Sequence, residues 1–561
     1  MKNSILILLV IPILIFQSCS KDPEPNKEQV LVDDVVAPTI NFSISGIDES
    51  SSNQPIVVSD QIEISIDAKD ASGIQKVEAF INATKVGEDT TEPYEIIIDL
   101  SGYSSTSGKS RLDENAVLKV VATDTNGNEA EIEQNIIIET GIPLITINFP
   151  TDYFDPQKAR IYVFASAVDG KLLDVKRVFQ DTEQIILKTT EEFGSDDEFS
   201  LTFGEYITGS YGNNTELTTL QNLKPSSLAV LNLKTYPRFE SGSISPSSFP
   251  IAGFDPDDVF NSTAYGFMYS GGINFQEQEF NIDRRTSIPS NLGTDSIYFW
   301  LKNETLNEYS YAILDWDLPV DFTLDQSLMT QDGVEQRFFQ TSFGSGDYVT
   351  SMTILGYFSD NDFENNIFHY ISNSSYGFLP TQGAPYFFNN TIHKTRYEFA
   401  MKDYFTAGNG EPLETYQDLD WTLDFSQNGR EIDIEKTGTG HILGKLTLGT
   451  ENPTMIDGFN VSYGWNLIFN SESTDKIILP ELPEDLKSWG FNSFYEGNDL
   501  HIWQAEIKRY EGLSNYNDYL DKVIKNNEHF YNVSPNVESR FKRSDPSLEG
   551  YYFKFSSFLI D

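Results

Sequence analysis

Between residues 37 and 139 the chain alternates apolar and polar positions in short runs separated by turn residues. Ile40, Phe42 and Ile44 form one such set, followed by Ile62, Ile64 and Ile66, then Val77, Ala79 and Ile81, then Tyr94, Ile96 and Ile98, then Leu118, Val120 and Ala122. A period of two puts the apolar members of a set on one face of a β-strand, so each run predicts a strand with one buried side. Asn126-Gly127 stands between two runs, where a tight hairpin needs the positive φ that asparagine and glycine adopt at low cost. A sandwich of about seven strands is the economical expectation for this stretch.

Beyond Pro143 the pattern stays that of strands. Ile161 to Ala165 runs into the hairpin signal Asp169-Gly170 and on to Leu173 and Val175, with a further strand around Phe199 to Phe203. This predicts a second sandwich over 141–240. Ser241 to Pro256 is rich in serine, glycine and proline and reads as a boundary. A β-rich aromatic domain is expected over 241–450, with strands at Ile297 to Leu301, Tyr311 to Leu314, Tyr348 to Phe358, Tyr397 to Phe405, Trp421 to Phe425 and His441 to Leu448. A last β-rich segment, 451–561, includes a strand from Val461 to Phe469 and a short helix. Ser514 is its expected cap, with Tyr519, Leu520, Val523 and Ile524 on one side. The fold class is therefore all-β, built from tandem β-sandwich modules.

Composition narrows the partners. The chain has 561 residues, and its 85 acidic against 38 basic residues give a formal charge of -47 and a pI near 4.3. Phosphate recognition needs a basic footprint, so no nucleic-acid partner is expected. The single cysteine, Cys19, leaves nothing to build a disulfide framework. It follows Lys2 and an apolar run from Ile5 to Phe16, a pattern of export signals too short to span a bilayer. Residues 20 to 28 are polar, carry two prolines and read as a flexible tether.

Chemistry is sparse. Walker, dinucleotide-binding, zincin and Gly-x-Ser-x-Gly motifs are absent from the sequence, and its 5 histidines are scattered. Asp360 to Glu364 imitates the start of a calcium loop, but Asn365 and Ile371 replace the turn glycine and the bidentate glutamate. Calcium is thus the one cofactor the acids suggest, without a complete motif, and no metal or catalytic residue is assigned. Asp315-Trp316-Asp317 and Asp418-Leu419-Asp420-Trp421 place acids beside indoles, the arrangement a glycoside hydrolase would use. A stronger thread is the 13% aromatic content. Tyr376, Phe378, Tyr386, Phe387 and Phe388 occupy a Gly- and Pro-punctuated stretch and are the candidate ligand-binding residues, as rings that stack on a sugar. Core packing is the competing reading of the same rings.

Two resemblances add to this picture. Ala37-Pro38-Thr39-Ile40, Asp70-Ala71-Ser72-Gly73-Ile74, Val77-Glu78-Ala79-Phe80-Ile81, Thr91-Glu92-Pro93-Tyr94 and Val121 to Asn128 together resemble a bacterial immunoglobulin-like domain over 37–139. Such domains serve as spacers or adhesive modules. The N-terminus resembles a Bacteroidota-type lipoprotein signal, which implies a signal peptide over 1–18, acylation of Cys19 and a tether over 19–36. The rest resembles uncharacterised β-rich lipoproteins. The expectation is a noncatalytic protein lipid-anchored at the outer membrane and exposed at the cell surface, binding a polysaccharide or surface protein. A carbohydrate-active hydrolase and a structural envelope or adhesion component are the alternatives.

Overall fold

The structure, a computed structural model, describes residues 35–45, 56–58, 61–100, 114–138, 141–151, 153, 159–209, 212–234, 244–255, 260–285, 296–342, 350–376, 383–450, 454–456, 459–487, 489 and 500–545. The signal and Cys19 lie outside these residues, as does all of the tether except Val35 and Val36. The described chain divides into two compact units, one ending at residue 138 and the other beginning at 141. Among the described residues no helix is long and apolar enough to cross a membrane, which says nothing of a β-barrel.

The first unit has eight strands: β1 Thr39–Ile44, β2 Ile56–Val58, β3 Gln61–Lys69, β4 Ile74–Ile81, β5 Thr84–Asp89, β6 Tyr94–Asp99, β7 Glu114–Asp124 and β8 Glu129–Ile138. They form a three-stranded sheet, β1-β3-β6, and a five-stranded sheet, β2-β8-β7-β4-β5. The alternating sets fall on β1, β3, β4, β6 and β7, and their apolar members form one core containing Ile64, Val77, Ile81, Ile98 and Leu118. Eight strands rather than seven result because Ile56–Val58, too short for alternation to show, pairs parallel with β8. Asn126-Gly127 makes the β7–β8 turn, with Gly127 at φ +88°. The buried Asp124 carboxylate accepts hydrogen bonds from the Asn126 and Asn128 backbone N–H groups and from the Asn128 side chain. Burial opposes its charge, but these donors outweigh it and hold its pKa below the usual value. The oxygens of this turn therefore satisfy its own backbone.

The second unit is built on a 20-stranded sheet, with three separate three-stranded sheets. Its cores are apolar and strongly aromatic, including the buried Phe199, Trp465 and Tyr298. The expected boundaries at 240 and 450 are crossed by strand pairing and do not hold. Gly212–Leu223 pairs parallel with Phe459–Asn470, and Tyr404–Asn409 pairs antiparallel with Asn536–Arg543. Residues on both sides of each boundary also share one core, as Leu220 does with Ile468 and Val537. The Ser- and Pro-rich stretch is itself a strand, Ile244–Ala252, paired with Glu279–Arg285 and, at its end, with Leu324–Asp325. Near the C-terminus Tyr516–Tyr519 and Leu520–Ile524 form the expected helical segment, burying Tyr519, Leu520, Val523 and Ile524. Its cap is Asn515 rather than Ser514: the Asn515 side chain accepts from the Asp518 N–H.

Candidate functional site

Three of the rings singled out from sequence are interior. Strand Ala384–Asn389 buries Tyr386, Phe387 and Phe388 at 3%, 7% and 4% exposure. Phe387 stacks on Tyr309 with centroids 5.1 Å apart, and the Arg337 guanidinium lies 4.3 Å over the Phe388 ring. Stacking on a sugar uses an open ring face, so the platform reading of these three is corrected to core packing. Tyr376 ends strand His369–Tyr376, and Phe378 lies outside the described residues.

The other candidates also have structural employment. Asp360 to Glu364 is a short helix rather than a loop, capped by Ser359, and Asp360 meets Lys394 at 2.6 Å and His393 at 3.1 Å. Among the described residues no group of three or more His, Cys, Asp or Glu side chains is placed to hold a metal ion. Asp418 receives the buried Arg540 guanidinium at 2.5 Å, and Arg540 also binds Asp403 and the Leu419 carbonyl. Trp421 is buried and donates to the Thr439 carbonyl. Asp315 ends strand Glu308–Asp315, while Trp316 packs partly buried against a core. His369 is fully buried, its pKa pushed down to about 3 by desolvation, with Nδ1 2.7 Å from the Tyr269 hydroxyl. That hydroxyl also accepts the Tyr298 N–H at 2.8 Å and lies 3.3 Å from the Tyr298 carbonyl oxygen.

A different set of rings reaches the surface. Strand Phe260–Gly266 meets strand His369–Tyr376 through a single bridge, Gly266 to His369. The approach is close because residue 266 has no side chain: a Cβ there would stand 2.8 Å from the Phe368 carbonyl oxygen, which instead accepts the Phe267 N–H at 2.9 Å. The bridge brings Tyr265, Phe368 and Tyr370 together. Tyr265 is 42% exposed, and Phe368 and Tyr370 are half-buried. Ring centroids are 6.5 Å apart for Tyr265 and Phe368, 4.6 Å for Tyr265 and Tyr370, and 5.6 Å for Phe368 and Tyr370. The pairs are inclined by 27°, 51° and 32° in the same order, so the three rings form one contiguous but faceted apolar cluster. Tyr370 has its pKa pushed up to about 12, first by burial and then by the charge of Glu398, so its hydroxyl stays protonated and able to donate.

Polar groups continue the surface. Tyr265 pairs in register with Ser270, and Ser270 with Asp283, so these three exposed side chains share one row of one sheet face. Asn281, two positions from Asp283 on the same face, pairs with the exposed Ser248. Ala264, Phe280 and Ile282 point the other way, into a core. Ring faces, a carboxylate, an amide and hydroxyls thus lie side by side. The sequence signal was present at Phe368 and Tyr370, which alternate with the buried His369 and Ile371, but nothing local joins them to Tyr265.

The chain is thus an all-β protein of sandwich type, opening with an immunoglobulin-like unit. Residues 46–127 match the bacterial Ig domain family, which places a bacterial Ig-like domain at the N-terminus. Among solved structures, fibronectin(III)-like modules of Clostridium thermocellum CbhA match at 22% identity and a TM-score of 0.14, covering 18% of this chain and 94% of that one. The Bacteroides ovatus mixed-linkage glucan utilization locus SGBP-B, in complex with a mixed-linkage heptasaccharide, matches at 10% identity and a TM-score of 0.13, covering 62% of this chain and 96% of that one. Scores this low carry no argument about function. No curated protein matches the chain.

Proposed function

We propose that this chain is a noncatalytic, lipid-anchored surface protein whose second unit binds a glycan. The observation that carries the reading is the platform of Tyr265, Phe368 and Tyr370 beside Ser270 and Asp283. Grouped rings at a surface are costly to leave in water, and a sugar offers both the C–H faces to cover them and the hydroxyls to meet a neighbouring carboxylate and hydroxyl. Hydrolysis would require two carboxyl groups flanking one glycosidic bond. Here Asp283 is the exposed carboxylate of the polar row, while the side chain of Glu398 is only 14% exposed and is engaged by Arg396 at 3.8 Å.

Anchoring rests on Cys19 directly after the apolar run, since two or three acyl chains at about 0.8 kcal/mol per buried methylene hold a protein at a membrane without a spanning helix. In this reading the anchor is in the outer membrane, the protein faces outward, and the Ig-like unit is a spacer. The test is affinity electrophoresis of the full chain through gels containing polysaccharides, comparing wild type with Tyr265→Ala. Retardation of wild type, weakened in a variant with an unchanged melting temperature, is expected. Equal retardation of the two would reject the platform.

A further inference from the structure

We infer that the platform selects neutral polysaccharide chains and turns away uronic-acid and sulfated ones; this rests on the glycan reading. The charges around the rings carry the argument. Asp283 is exposed in the row of Tyr265, and Glu398 lies near enough to Tyr370 to act on its hydroxyl. An anionic chain laid on the rings would meet the exposed Asp283, while Glu398, its side chain only 14% exposed, adds negative charge from beneath the surface. The nearby cations are largely occupied. The Arg396 guanidinium is buried, 3.8 Å from Glu398 and 4.9 Å and 4.4 Å from the rings of Phe530 and Tyr531. Arg284 donates to the Trp316 carbonyl and the Ser247 hydroxyl. Arg285 shares the face of Asp283 but lies two residues, about 7 Å, along the strand from it, outside the cross-strand row of Tyr265, Ser270 and Asp283.

The chain as a whole repeats the sign, with a formal charge of -47. At physiological salt a field is screened over about 8 Å, so the local carboxylates decide contact while the net charge slows approach of any polyanion. A neutral chain meets none of this opposition. Its hydroxyls suit Asp283 as acceptor and Tyr370 and Ser270 as donors.

The experiment measures binding of the full chain to neutral polysaccharides (galactomannan, xyloglucan, laminarin) and to anionic ones (polygalacturonate, alginate, chondroitin sulfate) at low and at physiological salt. Expected is binding to at least one neutral chain, changed less than twofold by salt and weakened at least tenfold by Tyr265→Ala, with no binding to the anionic set at low salt. Binding to an anionic chain that Tyr265→Ala weakens would overturn the selectivity while leaving the platform in place. A wild-type chain that is folded by circular dichroism yet binds neither set would overturn the glycan reading itself. Neutral binding unaffected by Tyr265→Ala would do the same for the platform.

Discussion

Glu205 and Glu216 sit directly opposite one another on paired strands of the second unit, one buried and the other largely so. Opposed like charges destabilise a strand pair, and burial adds to the cost. The Glu216 carboxyl is accordingly pushed from 4.5 up to about 6, first by desolvation and then by the charge of Glu205. The native state therefore holds this proton more tightly than the unfolded chain. Below pH 4.5 both states are protonated and nothing is lost; stability falls as pH rises from there, and the full cost is present above about pH 6. A shift of this size corresponds to about 2 kcal/mol. Glu216→Gln fixes the neutral form in nearly the same shape. It should stabilise the second unit by about 2 kcal/mol at pH 8 and by roughly 1 kcal/mol less at pH 5. Urea unfolding followed by tryptophan fluorescence is the assay, because all 6 tryptophans lie beyond residue 141 and report this unit alone. An effect equal at the two pH values, or destabilisation at pH 8, would refute the reasoning.

Other perturbations follow from the packing. Gly87→Ala would drive a Cβ to 2.2 Å from Ile96 Cγ2, so a fragment spanning residues 37 to 140 should melt cooperatively as wild type and lose about 1–3 kcal/mol in this variant, read by thermal circular dichroism. Phe388→Ala should cost about 3–5 kcal/mol of second-unit stability in urea, as expected of a core ring; a change below 1 kcal/mol would return that ring to the surface. Gly266→Ala meets both the Phe368 carbonyl and the buried Tyr269 ring at 2.8 Å, and should weaken polysaccharide binding together with stability, measured on one preparation. Cys19→Ala should abolish lipid attachment and leave unprocessed precursor; mass spectrometry finding an unmodified mature terminus in wild type would reject the anchor.

The first unit was legible because period-two alternation survives wherever one sheet face is buried, as at Ile62, Ile64 and Ile66 on β3. Turn chemistry was legible for the same local reason, at Asn126-Gly127 and at Asp169-Gly170, where Gly170 adopts φ +84°. The second unit was read correctly as β but cut in the wrong places. Its organisation depends on Gly212–Leu223 finding a parallel partner at Phe459–Asn470, and no local pattern announces a pairing so distant. Pro246 and Pro250 suggested a linker, yet the strand holding them tolerates two missing N–H donors in its pairing. The rings at Tyr386 to Phe388 drew attention because glycine and proline flank them, whereas contact on both faces of their strand buries them. Tyr265 joins Phe368 and Tyr370 only through the bridge at Gly266, which tertiary structure alone supplies.

The central claim is that a glycan covers Tyr265, Phe368 and Tyr370. Hydroxyl-radical footprinting of the full chain, with and without a polysaccharide that retards it, reads these positions directly. The account predicts that the polysaccharide protects Tyr265, Phe368 and Tyr370, while the buried Tyr386, Phe387 and Phe388 stay weakly labelled with or without it. Protection elsewhere on the chain, with the labelling of Tyr265, Phe368 and Tyr370 unchanged, would contradict it.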